Sequence, residues 1–337
     1  MKNILILLFS VICLFSCRGK SEADDGIRYA KDVKSAVSLP KDRQQCIDAI
    51  IKYISTDTIA YLTEGIGYAG EPTTQYWLAD TLLTIASEGQ LKDFAMKHPS
   101  AIVRAAVFNA LIRKYPHAAV DVAISGLKDM TPLMTMRGCC KDQDTLSMIR
   151  VHAIVLNQKY YDISDVDYDR LDSVVLFSNA VKRLDSFGRL YQYIAPKPQY
   201  YQRLLSLYDE SSYTGPIVAL AKYKKVEVKD LMKKLINVEN KERNDFENAL
   251  LAVSIWPDES FKDFVRKVAQ GLLYKKMKFP RQLYMALMGY EGKWVKSLIE
   301  SSLYDGSAEW NFYEAYEENP RPYYKALFDK HCARYKD

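Results

Sequence analysis

The sequence predicts an all-α fold, an α-solenoid of stacked antiparallel helix pairs, on the strength of three observations. From about residue 43 onward apolar residues recur at helical spacing. The helical segments come two at a time, divided by Pro or Gly. Gly (14) and Pro (12) are too few in 337 residues for a β-sandwich with many tight turns, while 48% hydrophobic residues supply ample material for a core.

Residues 1–16 read as a signal peptide. Lys2 precedes a predominantly apolar run from Ile4 to Phe15, which fits the apolar core of a secretory signal, about 7–15 residues, and is short for a membrane span. Leu14-Phe15-Ser16-Cys17 then sets a small residue before a cysteine. These four residues resemble the lipobox of bacterial lipoproteins, although Phe15 stands where a smaller residue is usual. The resemblance implies lipidation of Cys17, which would become the mature N-terminus. Residues 17–42 form a polar tether, and Glu22, Asp24 and Asp25 are similar to the acidic signal that sends some lipoproteins of the Bacteroidetes to the cell surface. The plainer reading, that any tether is polar, stands beside it. The expected address is the bacterial cell envelope, lipid-anchored, at the outer membrane.

Residues 43–337 form the helical domain. Ile47, Ile50, Ile51 and Ile54 mark its first helix, and Gly65-Ile66-Gly67-Tyr68-Ala69-Gly70 a loop. Trp77, Leu78, Thr81, Leu82 and Ile85 form the next stripe, which Glu88-Gly89 breaks. Leu91, Phe94 and Ala95 carry a short helix to His98-Pro99, with Ser100 as cap of a long helix ending near Tyr115-Pro116. A further helix spans about 117–127, residues 131–140 are a loop crossing, and 144–157 are helical. Helices near 171–191 and 199–208 flank Ala195-Pro196-Lys197-Pro198, the best hinge candidate. Pairs then start near 215, 243 and 280, and a last pair, about 308–318 and 322–335, closes the chain.

Pro99-Ser-Ala-Ile-Val103-Arg104-Ala-Ala-Val107-Phe-Asn-Ala110-Leu111 resembles the second-helix signature of HEAT repeats: a Pro, Val-Arg four and five residues on, then small residues and a Leu. Val107 departs from it, where a small Ala is common. The resemblance implies paired helices stacked on their neighbours, presenting a long surface to macromolecular partners.

Little else carries chemistry. The formal charge is +5, one unit of it Lys2, and the basic residues are dispersed among acids, so nucleic acid is not the expected partner. Cys46, Cys139, Cys140 and Cys332 are too few for a disulfide framework and read as small hydrophobes, with pairing left open. Cys139, Cys140 and His152 lack the spacing and the fourth ligand of a zinc site. His98, His117 and His331 read as structural or surface residues. Asp165, Asp167 and Asp169 match the first positions of a calcium loop, but Arg170 stands where Gly is needed and Leu176 where Glu is needed. With Asp162 and Asp172 they read as a solvated acidic loop or a weak calcium site. The carboxylate pairs Asp24-Asp25, Asp258-Glu259 and Glu317-Glu318 do not by adjacency make an acid–base pair across a cleft. No catalytic, cofactor-binding or metal-ligating residue is assigned, and no enzyme activity is expected.

The one compositional excess is 25 tyrosines. Tyr191, Tyr193, Tyr200, Tyr201, Tyr208, Tyr213 and Tyr223 crowd one stretch; Tyr313, Tyr316, Tyr323 and Tyr324 join Trp310 and Phe312 in another. They either fill helix interfaces or form an aromatic surface that captures glycans or peptides. The expected function is a lipid-anchored binding or scaffolding module, with glycan or peptide capture as the alternative.

Overall fold

The computed structural model describes residues 38–67, 70–155, 161–178, 189–210, 214–237 and 243–333. The signal segment, Cys17 and most of the tether lie outside them. The chain is mostly helical, with a small four-stranded sheet, and it divides into two units at Leu171/Asp172. Among the described residues no helix is long and apolar enough to cross a membrane.

In the N-terminal unit, Asp42 starts α1 (Arg43–Ser55) by accepting the Gln45 amide at 2.9 Å, and the isoleucine stripe is buried. Strand β1 (Ile59–Ile66) follows and pairs with β2 (Glu71–Pro72). Gly67 and Gly70 lie between them with φ of 69° and 65°, where a side chain would be strained. Thr73 caps α2 (Thr74–Ile85). The break expected at Glu88-Gly89 falls two residues earlier, at Ala86-Ser87, because Ser87 caps α3 (Glu88–Lys97) in a reciprocal capping box with Gln90 of its first turn. Ser100 caps α4 (Ala101–Lys114), and Pro116 opens α5 (Pro116–Ser125) at the position where a missing N–H does no harm. The expected loop at 131–140 is instead β3 (Pro132–Gly138), turning into β4 (Cys140–Thr145). Next come α6 (Leu146–Val155) and α7 (Asp165–Phe177), within which the division between units falls.

The sheet order is β2-β1-β3-β4. β1 and β3 run parallel, with Ile59 opposite Met134 and Tyr61 opposite Met136, and α2–α5 supply the crossover that a parallel pair requires. At the edge, β4 carries the charged run Lys141-Asp142-Gln143-Asp144, which discourages further strand pairing. At the centre lies α4, in which Ile102, Val103 and every residue from Ala105 to Ile112 are buried. It packs on α1, α2, α3, α5, α6 and β1, as a helix apolar on all sides must.

The C-terminal unit is a succession of helices after the end of α7: α8 (Arg189–Tyr193), α9 (Pro198–Glu210), α10 (Pro216–Ala221), α11 (Val226–Asn237) and α12 (Arg243–Ile255). A short 3-10 turn leads into α13 (Lys262–Tyr274), followed by α14 (Arg281–Met288), α15 (Lys293–Ser302), α16 (Gly306–Glu318) and α17 (Lys325–Cys332). The Ala195–Pro198 segment lies inside this unit, where Pro198 opens α9. Contacts skip: α10 packs on α12, α12 on α14 and α14 on α16. The intervening helices pack on this row and are apolar on one stripe alone, Val228, Met232 and Leu235 in α11, Val265 and Ala269 in α13, and Val295 and Ile299 in α15. By contrast α10 is buried from Pro216 to Ala221 and α14 from Leu283 to Met288.

Candidate functional site

In the N-terminal unit the sheet and the buried helix leave a cleft of about 230 Å³. Leu62 and Glu64 reach it from β1, Tyr76 from α2, Asn109 from α4, Arg137 from β3 and Tyr161 from the segment before α7, over an apolar floor that includes Phe108 and Ile149. Asn109 is fixed by donating to the Leu62 carbonyl at 3.2 Å. Arg113 lies with its guanidinium 4.2 Å over the Tyr76 ring, pairs with Asp80 at 2.6 Å and donates to the Asn109 carbonyl. Burial pushes the Tyr76 and Tyr161 hydroxyls up from their ordinary value, and Arg113 pulls each partly back. Both are therefore neutral hydrogen-bond donors at pH 7. Two phenols, a carboxylate, a guanidinium and an amide around an apolar floor suit a polar molecule of about the size of an amino acid or a single sugar.

Behind this cleft the unit holds a buried cation. Arg150 on α6 is wholly buried, donates to the Ala95 carbonyl at 2.6 Å and lies 3.5 Å from the Asp129 carboxylate. Asp129 also meets Arg104 at 3.3 Å. Arg104, from the Val-Arg pair of the HEAT-like stretch, further donates to the His98 and Pro99 carbonyls and to Thr131. Burial lowers Arg150 to about 10 against the pull of Asp129. Gly126 makes room for it, since a Cβ there would stand 2.1 Å from its guanidinium.

The acidic run does not converge. Asp167 is buried on α7, where burial raises its carboxyl while His117, Ser164 and Arg170 together carry it below the ordinary value. Arg170 also binds Asp121 at 2.7 Å. Asp162 and Asp165 are exposed, and Asp172 is buried in the other unit, accepting the Ala195 amide at 3.4 Å. Cys139 and Cys140 are exposed at the β3–β4 turn while His152 is buried in α6; Cys46 and Cys332 are buried. Among the described residues no three His, Cys, Asp or Glu side chains gather as a metal site. Asp258 caps the 3-10 turn and binds Lys229 at 2.7 Å, which takes its carboxyl down to about 2. Glu318 receives Gln192 and Arg281. Asp24 and Asp25 lie outside the described residues, as do Cys17 and Tyr213.

The crowded tyrosines hold the C-terminal helices together. Tyr191, Tyr200, Tyr201, Tyr284, Tyr290, Tyr316 and Tyr324 are buried. Several of the hydroxyls end on partners in other segments: Tyr201 donates to Glu227 at 2.9 Å, Tyr290 to the Asp258 carbonyl at 3.0 Å and Tyr324 to the Tyr290 carbonyl. Tyr284 shares a hydrogen bond with buried Ser302 at 2.8 Å, and half-buried Tyr223 donates to the Lys197 carbonyl. Tyrosine here serves as a buried ring with a polar end long enough to reach a neighbour's backbone. A second cation, part-buried Lys222, donates to the Gln192 and Ile194 carbonyls at 2.7 Å each, and loss of solvent around it lowers it to about 8 against the pull of Asp172. Sequence reasoning missed Arg150, Lys222 and the Tyr76–Tyr161 cleft. The available signal for Arg150 was its setting in Leu-Ser-Met-Ile-Arg-Val-His-Ala-Ile-Val, a helix with no polar face. No protein-family model, no curated protein and no solved structure matches the chain.

Proposed function

We propose that the chain is a lipid-anchored module of a bacterial cell envelope, built from HEAT-like helix pairs that present a binding surface to a macromolecular partner. The observation that carries this reading is the row α10-α12-α14-α16, in which each helix packs on the next but one and the helices between them keep a polar face. Repeated helix pairs of this kind create extended faces suited to large partners. The helix pairing from residue 215 onward and the segment ending at Cys17 support it from the sequence. The test is fractionation of cells producing the chain or its Cys17→Ala variant, followed by lysine cross-linking in intact cells. Release of the variant from the outer membrane, with cross-links from α11, α13 and α15 to one recurring protein, is the expected result. A variant that stays in the membrane refutes the anchor at Cys17, and cross-links confined to the chain itself refute the scaffold.

A second reading, capture of a small glycan or a peptide end, is favoured by the N-terminal cleft with its two phenols, Glu64 and Arg137. Titration calorimetry with sugars and short peptides tests it, and Tyr76→Ala together with Tyr161→Ala should abolish any heat observed.

A further inference from the structure

Between Asp263 and Glu291 the chain carries Arg266, Lys267, Lys275, Lys276, Lys278 and Arg281 and no acidic residue. Its centre is the turn that ends α13. The Lys276 amide donates to the Leu273 carbonyl at 3.0 Å and the Met277 amide to the Leu272 carbonyl at 2.8 Å, the paired bonds of a Schellman cap. Lys276 thereby takes the left-handed position, with φ of 53°. Glycine fits there without strain, whereas a lysine does not.

The same turn exposes its apolar side chains. Tyr274 is 90% exposed and Met277 48%, and beside them stands Tyr304 at 54%, its hydroxyl donating to the Lys276 carbonyl at 3.4 Å. Lys278 binds Asp305 at 3.2 Å and ties the turn to the start of α16, while Lys275 and Lys276 are exposed at its tip. We propose that this turn docks on an anionic lipid surface, with Tyr274 and Met277 in the headgroup region and Lys275 and Lys276 on the lipid phosphates. Lysine stems lie along apolar surface while their ammonium groups reach charge, and tyrosine favours the boundary between headgroups and acyl chains. A soluble polyanion without aromatic rings would be met by the cations alone and would leave Tyr274 and Met277 in water. The proposal goes beyond the scaffold reading and does not depend on which protein the scaffold binds.

The test is acetylation of lysine amines on the full chain, read by mass spectrometry, with vesicles of phosphatidylcholine alone or mixed with phosphatidylglycerol and with Lys97 as the reference site. Labelling of Lys275 is expected to slow by about fivefold or more on the phosphatidylglycerol vesicles alone, the factor that one lysine near such a surface supplies. High salt should restore it. Lys276→Gly, which relieves the cap and so keeps the fold, should remove most of that protection at Lys275, and Tyr274→Ser should weaken it. Unchanged labelling of Lys275 on anionic vesicles overturns the proposal. Equal protection by heparin or by single-stranded DNA overturns it in favour of a soluble polyanion. Flotation on neutral vesicles reports attachment through the N-terminus, so failure at Cys17 and failure of this turn are told apart.

Discussion

In the N-terminal unit one helix is buried on every side and five others and a strand share it, whereas in the C-terminal unit burial passes along a row in which each helix meets the next but one. The HEAT-like stretch and the regular row do not coincide. Pro99–Leu111 forms the cap and most of the shared helix α4, and the row occurs where that signature is absent. A motif of small residues and Val-Arg therefore marks a helix that others approach closely, and does not by itself mark repetition. The tie made by Arg104 from the Pro99 turn to Asp129 and Thr131 is local, and it serves a hub as well as it would serve a stack.

The largest break in the comparison is expected at the buried cation of the hub. Asp129→Ala leaves wholly buried Arg150 and largely buried Arg104 without their shared carboxylate. Removing one partner of a buried charge pair costs about 3–5 kcal/mol. Urea unfolding should show that loss in the N-terminal unit, and adding Arg150→Met should recover most of it. A variant as stable as the parent would mean that the Ala95 carbonyl alone satisfies Arg150.

Matched cavities sharpen the contrast next. Leu111 on α4 and Leu250 on α12 are both fully buried, and truncation of either to Ala should cost about 2–5 kcal/mol. The spread of the damage should differ. Hydrogen exchange is expected to accelerate across α1–α6 in Leu111→Ala, because α1, α2, α3, α5, α6 and β1 all rest on α4. In Leu250→Ala it should accelerate mainly in α10 to α14, the neighbours along the row. Equal spread in both variants would erase the distinction between hub and row.

Arg150 and Lys222 separate the units by pH. Burial holds Lys222 at about 8, below its ordinary 10.5. Between those values the unfolded chain keeps a proton that the native unit has released, so stability of the C-terminal unit rises with pH across that window. Tyr201 and Tyr223 act in the opposite sense, since burial raises each to about 12. Above pH about 10 the unfolded chain loses protons that the native rings retain, and stability falls through about 12. Arg150, at about 10, begins to relieve its own penalty only where the window of Lys222 closes. Denaturation midpoints should therefore rise from pH about 8 to about 10 in the C-terminal unit, and Lys222→Met should flatten the rise. A rise that survives that substitution would assign it to another group.

What could be read along the chain was whatever is local. The isoleucine stripe of α1, the Ser100 cap, the end of α4 near Tyr115 and the pairing from residue 215 onward all follow from neighbours within a few turns. The sheet is different. β1 finds its parallel partner across four helices, and β4 is almost wholly polar because it lies at an exposed edge, so neither has a local signature. The settings of Arg150 and Lys222 were hidden for the same reason: the carbonyls that receive them, Ala95, Gln192 and Ile194, belong to other elements. The tyrosine excess was visible as a count, while its use as a helix-to-helix hydrogen bond required knowing which carbonyl each ring reaches.

The smallest expected effect is also the most direct measure of whether the two units unfold separately. Gly89 on α3 and Gly271 on α13 each sit in a helix with nothing within 4 Å of where a Cβ would stand, and neither has a positive φ. Alanine reduces the freedom of the unfolded chain without disturbing either site, a gain of about 0.5–1 kcal/mol. If the units unfold independently, Gly89→Ala should raise only the N-terminal transition in a urea titration followed by hydrogen exchange, and Gly271→Ala only the C-terminal one. If both substitutions raise both transitions, α7, which runs through the division, couples the hub to the row, and the contrast between them holds for packing but not for unfolding.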